Sequence, residues 1–267
     1  MAKLKAGILY TGTLDNVSAY TMKGVDGIIL RKKGGPSRSM VKRGANFART
    51  RENNFEFAGR VACAKNIYRA TRIFTRLADY NYFGALNALL VPVQQADTIN
   101  PRGKRNVTLS VYPQILEGFN LNKRLQYSSI LMNPVGLDIN LSDLNGYFRI
   151  PPLIPQVNFF PPQSITYFKL IFQLSFIPDM LLTKGNYQPV FEDDDADSVI
   201  VNSEWLPIQR SAAQSLELNH KQKFKKLKGI SLITAGIEFG KPSQDGSIKI
   251  IPHQGAAKII WSRSLSE

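Results

Sequence analysis

The chain has 267 residues, of which 43% are hydrophobic and 20% are charged. This composition is typical of a folded protein with one or two domains, and it argues against a disordered or collagen-like chain. No apolar run approaches the ~18 residues that a membrane-spanning helix needs, and the N-terminus has no apolar signal core. We therefore expect a cytoplasmic protein that does not contact a membrane.

The net charge of +14 is concentrated in the first half of the chain. Residues 1–124 contain 21 Lys and Arg against 7 Asp and Glu, whereas residues 125–267 contain 13 of each kind. Residues 31–76 are the densest part, with 13 basic and 2 acidic side chains. This asymmetry suggests two modules with different partners, and a concentrated positive module is typical of proteins that bind nucleic acid or another polyanion.

Residues 1–36 predict a β-hairpin arm, with short strands at 8–10, 17–20 and 27–31 separated by glycine and aspartate. Residues 37–105 predict a basic helical module. Ser37 is expected to cap its first helix, because the hydroxyl can accept an otherwise unpaired backbone N–H. Breaks between helices are expected near Gly44, Gly59 and residues 79–84.

The clearest helical periodicity lies between residues 60 and 77. At 100° per residue, one narrow stripe contains only basic residues, namely Lys65, Arg69, Arg72 and Arg76. The opposite side holds Ala64, Ile67, Thr71, Phe74 and Ala78. No acidic residue lies between Glu56 and Asp79, so the i,i+4 pairing that usually balances a charged helix face is absent. The stripe fits a solvated face and a binding surface equally well.

Residues 106–267 predict an antiparallel β domain of about nine short strands. The strongest strand pattern covers 165–176, where five apolar residues share one face and the largely polar opposite face is expected to meet water. Further strands are expected at 107–111, 128–132, 137–141, 147–150, 198–201, 216–218, 229–239, 248–251 and 257–261. The predicted fold class is α+β, mostly β, ending in an antiparallel β-sandwich of immunoglobulin-like or jelly-roll type.

Four motifs carry a family resemblance: MAKLKxGIL at 1–9, RxKGG at 31–35, FxRTRxNNxEF at 47–57 and GAAKI at 255–259. They resemble an uncharacterised family of Bacteroidota proteins of unknown function. The resemblance implies a shared lineage and architecture and transfers no catalytic residue. Guanidinium groups and side-chain amides in the RTRxNN stretch suit contacts with phosphates and bases, and equally suit helix capping and hydrogen bonds to the arm.

The sequence predicts no catalytic site and no metal site. One cysteine and two histidines cannot build a Cys/His zinc site. His220 lies in a basic stretch and His253 follows a proline in a turn, so we expect both on the surface. Cys63 is expected to be a small buried apolar residue.

The acidic run at 192–197 resembles the spacing of a calcium loop. Ser198, however, stands where that loop needs a glycine for its sharp turn. We therefore expect a solvated acidic loop, while weak calcium binding or docking on the basic helix of a neighbouring subunit stays open.

These patterns favour a non-enzymatic binding protein without a cofactor, whose basic N-terminal module contacts nucleic acid or another polyanion. Tyr10, Tyr20 and Phe47 are available for stacking on bases. The candidate binding residues are Lys32, Lys33, Arg38, Lys42, Arg43, Arg49, Arg51, Lys65, Arg69, Arg72 and Arg76. The alternative is a self-assembling structural subunit of a shell, filament or capsid-like particle, in which the arm and helices of one copy dock on the β-sandwich of the next. In either case we expect a homo-oligomer.

Overall fold

The computed structural model describes residues 2–4, 10–22, 25–32, 34–140, 145–191, 198–209, 211–219 and 228–265. The chain divides into two compact units, Met1–Arg51 and Glu52–Glu267. The boundary expected at residues 105–106 therefore falls inside the second unit. Lys33, His220 and the acidic run at 192–197 lie outside the described residues.

The first unit contains a four-stranded antiparallel sheet with the strand order β1-β4-β3-β2. The strands are β1 (Ala2–Leu4), β2 (Gly12–Leu14), β3 (Val17–Met22) and β4 (Val25–Lys32). Ala19, Ile28 and Ile29 are its buried apolar side chains. The strands expected at 17–20 and 27–31 thus lie within β3 and β4.

A short helix, α1 (Arg38–Arg43), follows β4. The expected cap is confirmed, because the Ser37 hydroxyl accepts the Met40 N–H at 3.2 Å. The helix ends at Gly44, as expected, and a 3-10 turn at Ala45–Phe47 leads into α2 (Ala48–Ala70). No residue of α1 is buried, so packing holds this helix less than capping does.

The second unit contains the rest of α2 and several shorter helices. These are α3 (Phe83–Leu89), α4 (Val91–Gln95) and α5 (Tyr127–Ile130). Three 3-10 turns lie at Arg72–Phe74, Leu109–Val111 and Pro113–Leu116. Strands expected at 107–111 and 128–132 are therefore wrong. The Asp179 carboxylate accepts the Ser110 N–H at 2.9 Å and so holds the first of these segments as a turn.

Two long antiparallel strands, β7 (Tyr167–Pro178) and β13 (Gly229–Pro242), pair over twelve residues at the centre of the second unit. The strands β10 (Val199–Asn202) and β11 (Leu206–Pro207) pair with β7. The strands β14 (Ile248–Ile250) and β15 (Ala256–Ser264) pair with β13. A hairpin of β8 (Met180–Thr183) and β9 (Asn186–Pro189) follows β7.

One face of the central sheet shares a core with a three-stranded sheet. That sheet has the order β12-β6-β5, from β12 (Gln214–Leu218), β6 (Gly146–Ile150) and β5 (Gly136–Ile139). Phe148 of β6 stacks on Phe172 of β7 with ring centroids 4.3 Å apart. The apolar face expected for β7 is confirmed, since Phe168, Leu170, Phe172, Leu174 and Phe176 all lie in this core.

The opposite face of the central sheet is covered by helices. Ile171 and Ile177 of β7 share a second core with Ile67 of α2 and with Phe74 and Leu77. The expectation that this face of β7 meets water is wrong: Gln173 is 5% and Ser175 3% exposed. A polar side chain can be buried here because it finds a hydrogen-bond partner under the helices. The Ser175 hydroxyl donates to the Ala70 carbonyl at 3.4 Å.

A glycine permits this close packing of helix on sheet. A Cβ atom on Gly236 of β13 would lie 2.6 Å from the Phe74 ring and 3.1 Å from Leu77. Only a residue without a side chain fits there.

Strands form 38% of the structure and helices 25%, and the sheets are antiparallel, so the mostly-β class is confirmed. No helix within the described ranges is long and apolar enough to cross a membrane.

Candidate nucleic-acid interface

The first unit carries a denser positive charge than the second unit. Its 51 residues contain 11 Lys and Arg against 2 Asp, a net charge of +9. Arg38, Lys42 and Arg43 of α1 are all exposed. None of the three side chains makes a hydrogen bond or ion pair with any described residue. These three side chains are called the α1 cations below.

The end of β4 continues the positive surface along the chain. Arg31 and Lys32 are exposed, and their side chains likewise have no partner in the described part of the chain. Arg31 was absent from the predicted set, although it opens the dense basic segment. Its signal in the sequence is the adjacent Lys32, which shows that the end of this strand is charged on both faces.

Arg51 differs from the α1 cations because it is already engaged. Its Nη1 donates to the Val41 carbonyl at 2.9 Å and to the Gly44 carbonyl at 2.8 Å. The carbonyls at the C-terminal end of a helix lack partners within the helix, and a guanidinium group can satisfy two of them. Arg51 therefore positions α1, and of the two interpretations of the RTRxNN stretch this one is supported by geometry.

Residues 53–57 of the motif at 47–57 belong to the second unit and bind a loop of that same unit. The Asn53 side-chain oxygen accepts from Arg102 at 2.8 Å. Glu56, only 7% exposed, accepts the Gly103 N–H at 2.9 Å and lies 3.8 Å from the Arg105 guanidinium. These contacts account for Asn53 and Glu56 of the motif without any ligand.

The predicted basic stripe is exposed but is not one continuous helix. Lys65, Arg69, Arg72 and Arg76 are all exposed, and the five residues predicted to lie opposite them are all buried. The helix α2 ends at Ala70, so Arg72 lies in a 3-10 turn and Arg76 beyond it. Thr71 supports this ending, because its hydroxyl donates to the Ile67 carbonyl at 3.0 Å.

The stripe is also not purely cationic. Arg76 forms a salt bridge with Glu238 of β13, whose side chain is 2% exposed. The expectation of an unbalanced stripe failed here because the balancing carboxylate lies 162 residues away in sequence. Arg69 of the stripe is exposed and makes a further interaction, as does Arg49 outside the stripe. Among the described residues, Lys65 and Arg72 are therefore the cations of the stripe without a partner.

The aromatic side chains proposed for stacking, Tyr10, Tyr20 and Phe47, are each half-buried. Each therefore keeps part of its ring accessible.

The described ranges contain no group of three His, Cys, Asp or Glu side chains arranged to hold a metal ion. Cys63 is fully buried, as expected. Burial, and to a smaller extent the negative charge of the nearby Asp179, raises the pKa of its thiol far above the usual value. His253 lies exposed in a turn, also as expected.

Comparisons of the chain with protein-family models, with curated proteins and with solved structures found no match.

Proposed function

We propose that the first unit binds nucleic acid through the segment 31–43. The observation that carries this proposal is the set of α1 cations, which are exposed and have no described partner. Arg38 and Lys42 stand four residues apart on one helix face, an arrangement of like charges that destabilises a helix by about 0.2–0.5 kcal/mol. Phosphate groups would remove that repulsion and release counterions on binding.

Within this proposal the predicted residues have different roles. Arg31, Lys32 and the α1 cations contact phosphates, and Lys33 extends the set. Lys65 and Arg72 of the second unit are candidates for phosphate contacts made by that unit alone. Arg51 positions α1, and Arg76 neutralises Glu238. The protein is a binding protein without catalysis, located in the cytoplasm and assembled as a homo-oligomer; its β domain is a sandwich of immunoglobulin-like or jelly-roll type.

Salt-dependent binding tests the proposal. The affinity for a fluorescein-labelled 20-base-pair duplex is measured by anisotropy at several salt concentrations. Substituting all three α1 cations by Gln should reduce the slope of log K against log salt by about 2.7, at ~0.9 per phosphate contact. A matched control replaces three exposed lysines of the second unit, Lys184, Lys241 and Lys249, by Gln. Equal slopes for the two variants would contradict the proposal.

A second candidate function is self-assembly as a structural subunit. It is favoured by two apolar side chains of α2 that stay uncovered, Phe55 at 47% and Phe57 at 51% exposed. Exposed aromatic residues are enriched in protein interfaces. Light scattering with the Phe55→Ser/Phe57→Ser double variant tests this: an assembly held by these rings should dissociate. If the variant keeps the wild-type mass, α2 does not form the interface.

A further inference from the structure

An open cavity of about 430 Å³ lies in the second unit, beside β15 and the segment that joins α5 to β5. Ligand pockets usually measure about 300–1,000 Å³. The apolar part of its lining is formed by Leu131, Val135, Leu137 and Ile260. The last three of these side chains pack at the margin of the core between the two sheets, and Leu131 lies within that core. The cavity is thus an unfilled extension of an apolar interior.

The cavity also contains one uncompensated positive charge. The Lys258 ammonium lies 3.5 Å from the Ser128 hydroxyl and has no carboxylate partner among the described residues. Among the described residues of the lining, Glu117 is the only carboxylate, and its Oε1 accepts from Arg263 at 2.5 Å and from the Ser262 N–H at 2.9 Å. An apolar space with one free cation is complementary to an apolar molecule with one anionic group.

Tyr127 forms a closed part of the cavity wall. Tyr127 lines the cavity and is 6% exposed, and its hydroxyl has no hydrogen-bond partner within the described ranges. Burial raises the pKa of this phenol well above the usual value, so the hydroxyl keeps its proton. This hydroxyl is itself buried, so it adds no polar contact for an occupant of the cavity.

We propose that this cavity binds a small amphipathic carboxylate. The apolar chain or ring of the ligand lies on Leu131, Val135 and Ile260, and its carboxylate pairs with Lys258 at the side of Ser128. The described residues that line the cavity belong to the second unit, so this proposal does not depend on nucleic-acid binding by the first unit.

Titration calorimetry of the 267-residue chain tests the charge requirement with three probes: octanoate, octan-1-ol and acetate. Octanoate should bind at least about 10-fold more tightly than the other two, because only octanoate has both a long apolar chain and a carboxylate. Lys258→Gln should weaken octanoate binding about 10-fold and leave octan-1-ol unchanged. Lys249→Gln, an equal loss of charge at an exposed position of β14, should have no effect.

A blocking variant tests the location. Ser128 is exposed at the cavity, so Ser128→Trp should fill the entrance and abolish octanoate binding while the protein folds normally. Ser129→Trp at the neighbouring exposed position, outside the lining, should bind like the wild type. Equal affinity for octanoate and octan-1-ol, or binding that survives Lys258→Gln unchanged, would overturn the proposal and indicate a purely apolar slot. Failure to bind octanoate at ~10 mM would overturn it as well.

Discussion

Gly59 of α2 and Tyr187 of β9 are in direct contact, with no room for a side chain between them. A Cβ atom on Gly59 would lie 2.6 Å from two atoms of the Tyr187 ring. The same tyrosine donates its hydroxyl proton to the Arg105 carbonyl at 2.6 Å. One ring thus joins three segments that are distant in sequence: α2, the β8–β9 hairpin and the loop before residue 106.

Gly59→Ala should therefore destabilise the protein, although alanine is the better helix former by about 1 kcal/mol. The steric conflict with the ring should outweigh that gain, since overpacking a tight site costs about 1–3 kcal/mol. The free energy of unfolding in urea measures the balance. Gly84→Ala in α3 is the matched control, because a Cβ atom there would meet nothing within 4 Å. The free energy of unfolding of Gly84→Ala should equal or exceed that of the wild type. An equal change in the free energy of unfolding for the two variants would contradict the steric argument.

The Arg76–Glu238 salt bridge predicts a structural phenotype for a residue that the sequence assigned to binding. Arg76→Gln leaves the Glu238 carboxylate buried without its partner. Because Arg76 is half exposed and solvent can reach the site, we expect a loss of about 2 kcal/mol, below the 3–5 kcal/mol of a fully buried pair. Lys65→Gln, a matched loss of one charge from the same stripe, should change the stability by less than about 0.5 kcal/mol. Thermal unfolding of both variants checks this.

The contrast between Arg76 and the α1 cations shows how far the sequence could lead. Local periodicity predicted the buried side of the segment 64–78 correctly, although α2 ends at Ala70, because the turns that follow keep Phe74 and Ala78 in the same core. It could not reveal Glu238, which reaches Arg76 because Phe74 and Leu77 pack against Gly236 of β13. The water-facing side assigned to β7 failed for the same reason: nothing local to Gln173 and Ser175 indicates that helices cover them. The cap at Ser37 depends on adjacent residues alone and was predictable.

Two aspartates predict a loss of stability in acid. Partial burial opposes ionisation of Asp79, but N–H groups of Arg124, Lys123 and Leu125 outweigh it and lower its pKa below the usual 3.8. Burial also raises the pKa of Asp97, but hydrogen bonds outweigh this effect and lower the pKa below the usual value. The strongest of these bonds comes from the Asn106 N–H. A lowered folded-state pKa means that the folded protein binds fewer protons than the unfolded chain. The stabilisation is therefore complete above pH 3.8 and is lost as the pH falls below 3.8.

The variant Asp79→Asn should remove part of this dependence. Its free energy of unfolding should be lower than that of the wild type at pH 6, and the two should converge as the pH falls below 3.8. Urea titrations at half-unit pH intervals measure the curves. Glu204→Gln, at an exposed position without a side-chain partner among the described residues, is the control and should follow the wild type. A constant difference between Asp79→Asn and the wild type at all pH values would show that the carboxylate charge plays no part.

The loop at 97–106 should resist proteolysis despite its three trypsin sites. Gly103 is buried and bonded to Glu56, and the Arg105 carbonyl accepts from Gln94 at 3.1 Å as well as from Tyr187. Cleavage needs a locally unfolded backbone, which these bonds oppose. Native trypsin digestion followed by mass spectrometry should find no early cut after Arg102, Lys104 or Arg105. Glu56→Ala should expose these sites, whereas Glu217→Ala on an exposed strand should not; early cleavage in the wild type would contradict the prediction.

Arg51 offers a test of whether the orientation of α1 matters separately from its charge. Arg51→Lys keeps the positive charge but replaces a planar fork that reaches two carbonyls with a single ammonium group on a flexible stem. We expect faster amide hydrogen exchange in residues 38–47, because the C-terminal end of α1 loses its anchor. Arg43→Lys is the matched control: its side chain has no described partner, so exchange should stay at the wild-type rate. In the duplex-binding assay, Arg51→Lys should weaken the affinity while leaving the salt slope unchanged, since no phosphate contact is lost. A slope reduced by ~0.9 would instead mean that Arg51 itself contacts a phosphate, and its hydrogen bonds to Val41 and Gly44 would then be exchanged for the ligand on binding.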